Sequence, residues 1–194
     1  ADWELPPFDH TPRTRLVFGP GSVRRIGALA AEHDARRVLL VTDPGIVRAG
    51  HAAFVRGLLA EHGVEVAVFD GVQENPDTAC VDRCLALART FQPEAIVGLG
   101  GGSAMDTGKG CNFLYTNGGR MADYWGVGKA QRPMLPFLAI PTTAGTGSEC
   151  QSAALIADAE THAKMACGDT KCAAAVSILD PELTVSQPQR VTVC

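Results

Sequence analysis

The chain has 194 residues, a formal net charge of −4, and 46% hydrophobic against 20% charged residues. That size suits one domain, or a large domain with an appendage. The charge leaves no basic footprint for nucleic acid or an anionic membrane, and no apolar run approaches the roughly 20 residues of a membrane span. The seven cysteines are odd in number and scattered, so they read as reduced cytosolic thiols, not a disulfide framework. With no basic-then-apolar leader, a cytoplasmic protein is expected.

Residues 1–14 are Pro-rich and read as an N-terminal arm. Arg15 to Phe18 reads as a short strand. The Gly19-Pro20-Gly21 turn leads to a helix start near Ser22, with Val23, Ile26, Leu29 and Ala30 at helical spacing. Arg37 to Val41 is a continuously apolar strand, as expected of a parallel strand covered on both faces. From Pro44 a helix is predicted to about His62, with Gly63 as its cap. Val64 to Phe69 is the next strand, and Gly71 to Pro76 a loop. Asp77 fits an N-cap for a helix whose inner face is Val81, Cys84, Leu85 and Ala88.

Ala95-Ile96-Val97 then reads as a buried strand running into Gly98-Leu99-Gly100-Gly101-Gly102-Ser103-Ala104-Met105-Asp106-Thr107-Gly108-Lys109 and a helix to about Tyr115. Strand, glycine turn and helix together present bare backbone N–H groups and a positive helix end to an anion. Glycine lets a phosphate approach the backbone closely, and Ser103 stands where an N-cap is expected. The bland alternative is a tight turn with no ligand. The stretch is not a Gly-x-Gly-x-x-Gly fingerprint, because Met105 stands three residues after Gly102. Nor is it a P-loop, because Ser103 precedes Gly108-Lys109 by the wrong residue type and Gly110 replaces the Ser or Thr. Residues 117–133 read as a surface loop. Leu135 to Ile140 is another buried strand, and Ala153–Ile156 with Lys164–Cys167 reads as a hairpin. Val176 to Leu179 is a final strand, and after Pro188 the chain enters something new. The alternation of strands and helices predicts an α/β fold, a Rossmann-like parallel sheet flanked by helices with a small β-hairpin.

Gly-Gly-Gly-Ser-x-x-Asp-x-x-Lys at residues 100–109 resembles a signature of the iron-dependent (group III) alcohol dehydrogenases. Pro141-Thr142-Thr143-Ala144-Gly145-Thr146-Gly147-Ser148-Glu149 and Ile178-Leu179-Asp180-Pro181-Glu182-Leu183-Thr184 match two further family motifs in the same order. The resemblance implies a dinucleotide-binding α/β domain over residues 1–194. It also implies a mostly helical, metal-binding domain beyond Cys194, since the abrupt ending reads as a cut.

Asp43, at the end of a strand, can accept hydrogen bonds from a ribose 2′-hydroxyl and would repel a 2′-phosphate. The family uses this position to separate NAD from NADP, so NAD is expected and NADP disfavoured; an N-cap role can coexist. The resemblance makes Asn75 a ribose or pyrophosphate contact, against the plain reading of an Asn-Pro turn. It sets Gly101, Gly102 and Ser103 at the pyrophosphate. Asp106 belongs near the nicotinamide or holds the motif's backbone, unless it only pairs with Lys109 along the helix. Thr142, Thr143 and Thr146 form a hydroxyl-rich turn placed across the cofactor, and Gln151 follows on the same loop. Lys164 matches a family lysine facing the ribose; alone it reads as a solvated charge.

The family holds Fe2+, sometimes Zn2+, through one Asp and three His. His10, His33, His51, His62 and His162 do not supply such a set, so no metal ligand and no catalytic residue is assigned within this chain. The expected function is reversible hydride transfer between NAD and a small alcohol or aldehyde, in a complete protein that is a homo-oligomer. This chain is its cofactor-binding part, inactive alone. A non-catalytic nucleotide-binding module, and a metal-free relative such as a maleylacetate reductase, stay open as alternatives.

Overall fold

A computed structural model describes residues 12–187. Most of the N-terminal arm, and the segment after Pro188, lie outside the described residues. The strands are β1 (Arg15–Phe18), β2 (Arg37–Val41), β3 (Glu65–Phe69), β4 (Ala95–Gly100), β5 (Gly126–Val127), β6 (Phe137–Pro141), β7 (Ala153–Ala157), β8 (Lys164–Gly168) and β9 (Val176–Leu179). The α-helices are α1 (Ile26–Ala31), α2 (Pro44–Arg48), α3 (His51–Ala60), α4 (Thr78–Phe91) and α5 (Gly102–Asn117).

Six strands form one sheet in the order β1-β9-β6-β4-β2-β3, every neighbouring pair parallel. Along β2, Leu39 and Val41 join one apolar core with α4 and α5, while Val38 and Leu40 join the other with α1 and α3. This is why the strand reads as an unbroken apolar run: both faces are covered. The predicted hairpin is present, with β7 and β8 antiparallel and β5 added beside β8.

The strand order places a switch point between β2 and β4. The chain leaves β2 for α2 and α3 on one face and for the edge strand β3. It leaves β4 for α5 on the opposite face and for β6. Open α/β sheets bind ligands in the crevice outside the strand ends at such a point.

Three local expectations are corrected. The helix from Pro44 is two helices, because Gly50 takes φ 84 and breaks the run; a left-handed residue cannot continue an α-helix. Ser103 is not the cap of α5. Gly101 is, through extended backbone with φ −85 and ψ −167 and no side-chain cap, which leaves Ser103 in the helix's first turn. Residues 117–133 are not merely a surface loop, since Met121, Tyr124 and Ala130 are buried against the α4–α5 core. Asn117 Oδ1 accepts the Gln131 and Arg132 N–H groups, and Asn112 exchanges two hydrogen bonds with the Leu135 backbone. Charge and glycine in that stretch hide its three apolar anchors.

Candidate functional site

At the switch point lies a cleft of about 900 Å³, with Asp43, Gly101, Gly102, Ser103, Thr142 and Thr143 in its lining. Its volume falls at the upper end of the roughly 300–1,000 Å³ range of ligand clefts. Asp43 leaves the end of β2 and caps α2: its Oδ1 accepts from Gly45 N at 2.7 Å and Ile46 N at 3.1 Å. Asp43 is therefore the N-cap of α2 and also one of the residues lining the cleft.

The three consecutive glycines do different work. Gly100 takes φ 143, and a Cβ there would lie 3.1 Å from Ala104 Cβ and 3.3 Å from Asp43 Oδ2, so this position needs glycine for its backbone. A Cβ on Gly101 would sit 3.4 Å from Thr143 Oγ1, and one on Gly102 3.1 Å from Ser148 Oγ. Those two glycines keep open the gap between the first turn of α5 and the loop that follows β6. In that gap Thr143 Oγ1 is buried without a hydrogen-bond partner among the described residues. A hydroxyl with no protein partner beside bare helix-start backbone suits an anionic or polyhydroxylic ligand.

The remaining candidates are not among the residues lining the cleft, although Thr146 lies across from Gly102, its Cβ 3.5 Å from where a Cβ on Gly102 would sit. Asn75 is exposed with φ 52, in the loop whose Val72, Gln73 and Glu74 do line it. Thr146 and Gln151 are exposed on the second glycine-rich loop, where Gln151 Nε2 donates to Thr146 O at 3.3 Å. Lys164 begins β8 opposite Ala157 and is exposed.

Asp106 and Lys109 do not pair along the helix. The Lys109 ammonium donates instead to three carbonyls, Ser148 O and Gln151 O at 2.6 Å each and Ala153 O at 3.3 Å. Asp106 is 6% exposed, and its Oδ1 has no hydrogen-bond partner among the described residues. Burial raises its pKa from 3.8 to about 6, against the opposing pull of Lys109, the Leu155 backbone and Lys164. A carboxyl whose folded pKa is raised contributes stability that is full below pH 3.8 and lost as pH rises through about 6. Asp106→Asn is therefore expected to gain about 1–2 kcal/mol at pH 8 and nothing near pH 3.5, in urea unfolding series at the two values. An equal effect at both pH values would show that the charge of Asp106 is not the cause.

Sequence reasoning missed Arg48, Glu74, Ser186 and Gln187 in the cleft lining. Arg48 carried a findable signal, since it sits in the last turn of the helix that Asp43 caps. Gln187 carried none; it arrives from the far end of the chain, with Nε2 3.5 Å from Thr142 Oγ1. Among the described residues, no group of three His, Cys, Asp or Glu side chains could hold a metal ion. Cys80, Cys84, Cys111, Cys167 and Cys172 are buried free thiols and Cys150 is an exposed one. No helix of the described residues is long and apolar enough to cross a membrane.

Comparison with known proteins places the family and the fold. The family model for iron-containing alcohol dehydrogenase matches residues 12–181. Alcohol dehydrogenase 4 of Schizosaccharomyces pombe is 39% identical over 176 residues, covering 91% of this chain and 42% of that protein. The crystal structure of a 1,3-propanediol oxidoreductase superposes with a TM-score of 0.92 at 35% identity, over 96% of this chain and 49% of that one. Sulfoacetaldehyde reductase from Bifidobacterium kashiwanohense, solved in complex with NAD+, gives a TM-score of 0.84 at 31% identity, over 95% of this chain and 49% of that one. The chain thus spans about half the length of the relatives it matches.

Proposed function

The chain belongs to the iron-containing alcohol dehydrogenase family, and on that premise we propose that it is the NAD-binding part of an enzyme interconverting small alcohols with aldehydes or ketones. The observation that carries this reading is the cleft at the β2–β4 switch point, walled by Asp43, Gly101, Gly102 and Thr143. The NAD+ complex of a relative supports the choice of cofactor.

In this reading Asp43 accepts hydrogen bonds from the adenosine ribose. The backbone of Gly101 and Gly102, with Ser103, holds the pyrophosphate at the start of α5. Thr142 and Thr143 bound it from the opposite wall. Asn75, Asp106, Thr146, Gln151 and Lys164 extend the site toward the cofactor's two ends. When bound, NAD accepts or returns the hydride, and the chain supplies its placement and the exclusion of water around it. The described residues do not fit the family's metal ion, because no ligand set converges among them. Iron or zinc is assigned to the complete protein, and no step is drawn through it. The complete protein is read as a cytoplasmic homo-oligomer. The free thiols accord with the compartment. An edge strand that leaves Leu16 57% and Phe18 77% exposed accords with association.

Cofactor choice supplies the test. Wild type is expected to bind NADH roughly tenfold or more tightly than NADPH, because a carboxylate meets the extra phosphate. Asp43→Gly should lose that preference, with Arg48 left in the same cleft to meet the phosphate. Asp43→Ser should do the same while keeping the cap on α2. The measurement is the ratio of dissociation constants in fluorescence titrations. Tighter NADPH binding by wild type would overturn the role given to Asp43.

A further inference from the structure

We propose that Lys109 is a positioning residue, a buried tether that holds the second glycine-rich loop in register with the first and so sets the width of the cleft. The inference rests on the dinucleotide reading for its effect on binding, but the tether itself is a matter of this chain's own contacts.

Lys109 is fully buried in α5, and among the described residues its ammonium hydrogen-bonds to carbonyls alone. Three N–H donors meet three acceptors, which matches the capacity of an ammonium. Its nearest aromatic neighbour is Phe137, with the ring centroid 6.0 Å away. A buried cation with no carboxylate in ion-pair contact is expensive for a fold to keep. An apolar side chain would fill the space more cheaply if filling space were all that was needed. What the cation does instead is collect the carbonyls of Ser148, Gln151 and Ala153.

The Ser148 and Gln151 carbonyls belong to the far end of the loop between β6 and β7, and the Ala153 carbonyl opens β7 itself. The near end is fixed to the sheet by Thr142 N, which donates to Gly100 O at 2.9 Å. Between the two ends the hydrogen bonds found among the described residues are internal to the loop, such as Cys150 N to Gly147 O at 3.0 Å and Gln151 Nε2 to Thr146 O at 3.3 Å. Gly145 at φ 118 and Gly147 at φ 66 give the path little stiffness of its own. Beyond the loop, Asp169 N donates to Ser152 O at 2.9 Å, a second anchor that lies outside α5. Lys109 is thus the hydrogen-bonded link from the loop's far end to the helix whose N-terminus forms the opposite wall of the cleft, beside the apolar packing of Ala154 and Ile156 of β7 on that helix. The gap it controls is narrow: a Cβ on Gly102 would lie 3.1 Å from Ser148 Oγ and 3.5 Å from Thr146 Cβ. Loss of the tether lets Thr146 and Ser148 drift from Gly102 while the sheet beneath stays in place.

The test combines hydrogen exchange of the ligand-free chain with NADH titration, for Lys109→Met, Lys109→Gln and Lys109→Arg. Amides of residues 144–151 should exchange roughly tenfold faster in Lys109→Met than in wild type, with β4 and β6 unchanged. NADH affinity should fall by roughly tenfold in parallel. Lys109→Gln, which keeps a smaller donor set and no charge, should fold if the Met variant does not, and should show the same local loosening to a lesser degree. Lys109→Arg should not rescue either readout, because a planar guanidinium cannot reach three converging carbonyls in the space of an ammonium. Faster exchange spread evenly over β4 and β6 would mean general destabilisation and would overturn the tether. Unchanged exchange in 144–151 would overturn it as well, as would full NADH affinity in a variant with a loosened loop. If wild type itself binds no NADH, the dinucleotide reading fails, and the exchange pattern still decides the tether.

Discussion

Gly102→Val is expected to lose NADH affinity by roughly a hundredfold, about 2.8 kcal/mol, while the chain keeps its sheet and helices. Gly102 is the first residue of α5, and its φ is not in the left-handed region, so the backbone there accepts a side chain. Where that side chain goes decides the outcome. Its Cβ would meet Ser148 Oγ at 3.1 Å and Thr146 Cγ2 at 3.5 Å, and the added branches would occupy the gap assigned to the pyrophosphate. The Ser148 hydroxyl must give way by a few tenths of an ångström, which a side-chain rotation supplies at modest cost although the residue is buried. Gly101→Ala is the milder partner: extended backbone, ordinary contact with Thr143 Oγ1 at 3.4 Å, and a methyl group in the cleft. It should weaken NADH with no measurable change in unfolding midpoint. Circular dichroism and fluorescence titration of both variants are the measurements. Wild-type affinity in either folded variant would make the glycine turn a packing device only.

Asp180→Ala is expected to cost about 3 kcal/mol of folding stability with no direct effect on the cleft. Asp180 is 2% exposed, and its two oxygens gather three backbone N–H groups. Oδ1 accepts from Gly21 N and Glu182 N, and Oδ2 from Val23 N, each at 3.1 Å. Gly21 and Val23 follow β1, and Asp180 follows β9, its neighbour in the sheet. Alanine leaves all three donors without that partner, two of them far from Asp180 in sequence, and the Val23 N–H is buried from water. Asp180→Asn keeps one carbonyl oxygen and should lose only about 1 kcal/mol. Urea midpoints at pH 7 separate the two variants. A loss for Asp180→Ala no larger than that of an exposed substitution would show that the three donors find other partners. The Asp-Pro-Glu-Leu motif thus acts in this chain as a staple joining β1 to β9.

Much of this protein follows from local chemistry. Unbroken apolar runs such as Val38–Val41 and Ala95–Val97 imply strands covered on both faces. The spacing of Val81, Cys84, Leu85 and Ala88 fixes the buried side of α4, and all four are buried. Asp77 and Asp43 cap helices because a short acceptor two or three residues ahead of free N–H groups needs nothing from the rest of the chain. The glycine turn after β4 belongs with these, since its composition already implies a close approach of backbone to something.

Other features depend on partners that no local pattern names. Whether Lys109 pairs with Asp106, three residues away, or with carbonyls some forty residues on depends on which side of α5 faces the β6–β7 loop. The duties of the three glycines differ because the neighbours of each absent Cβ differ, from Ala104 to Thr143 to Ser148. Gln187 reaches Thr142 only because β9, which precedes it, lies beside β6 in the sheet. Hydrophobic periodicity and capping act over a few residues and survive as sequence patterns. Strand order and the packing of α5 bring distant backbone atoms within 3 Å of one ammonium, and only the assembled sheet selects those atoms.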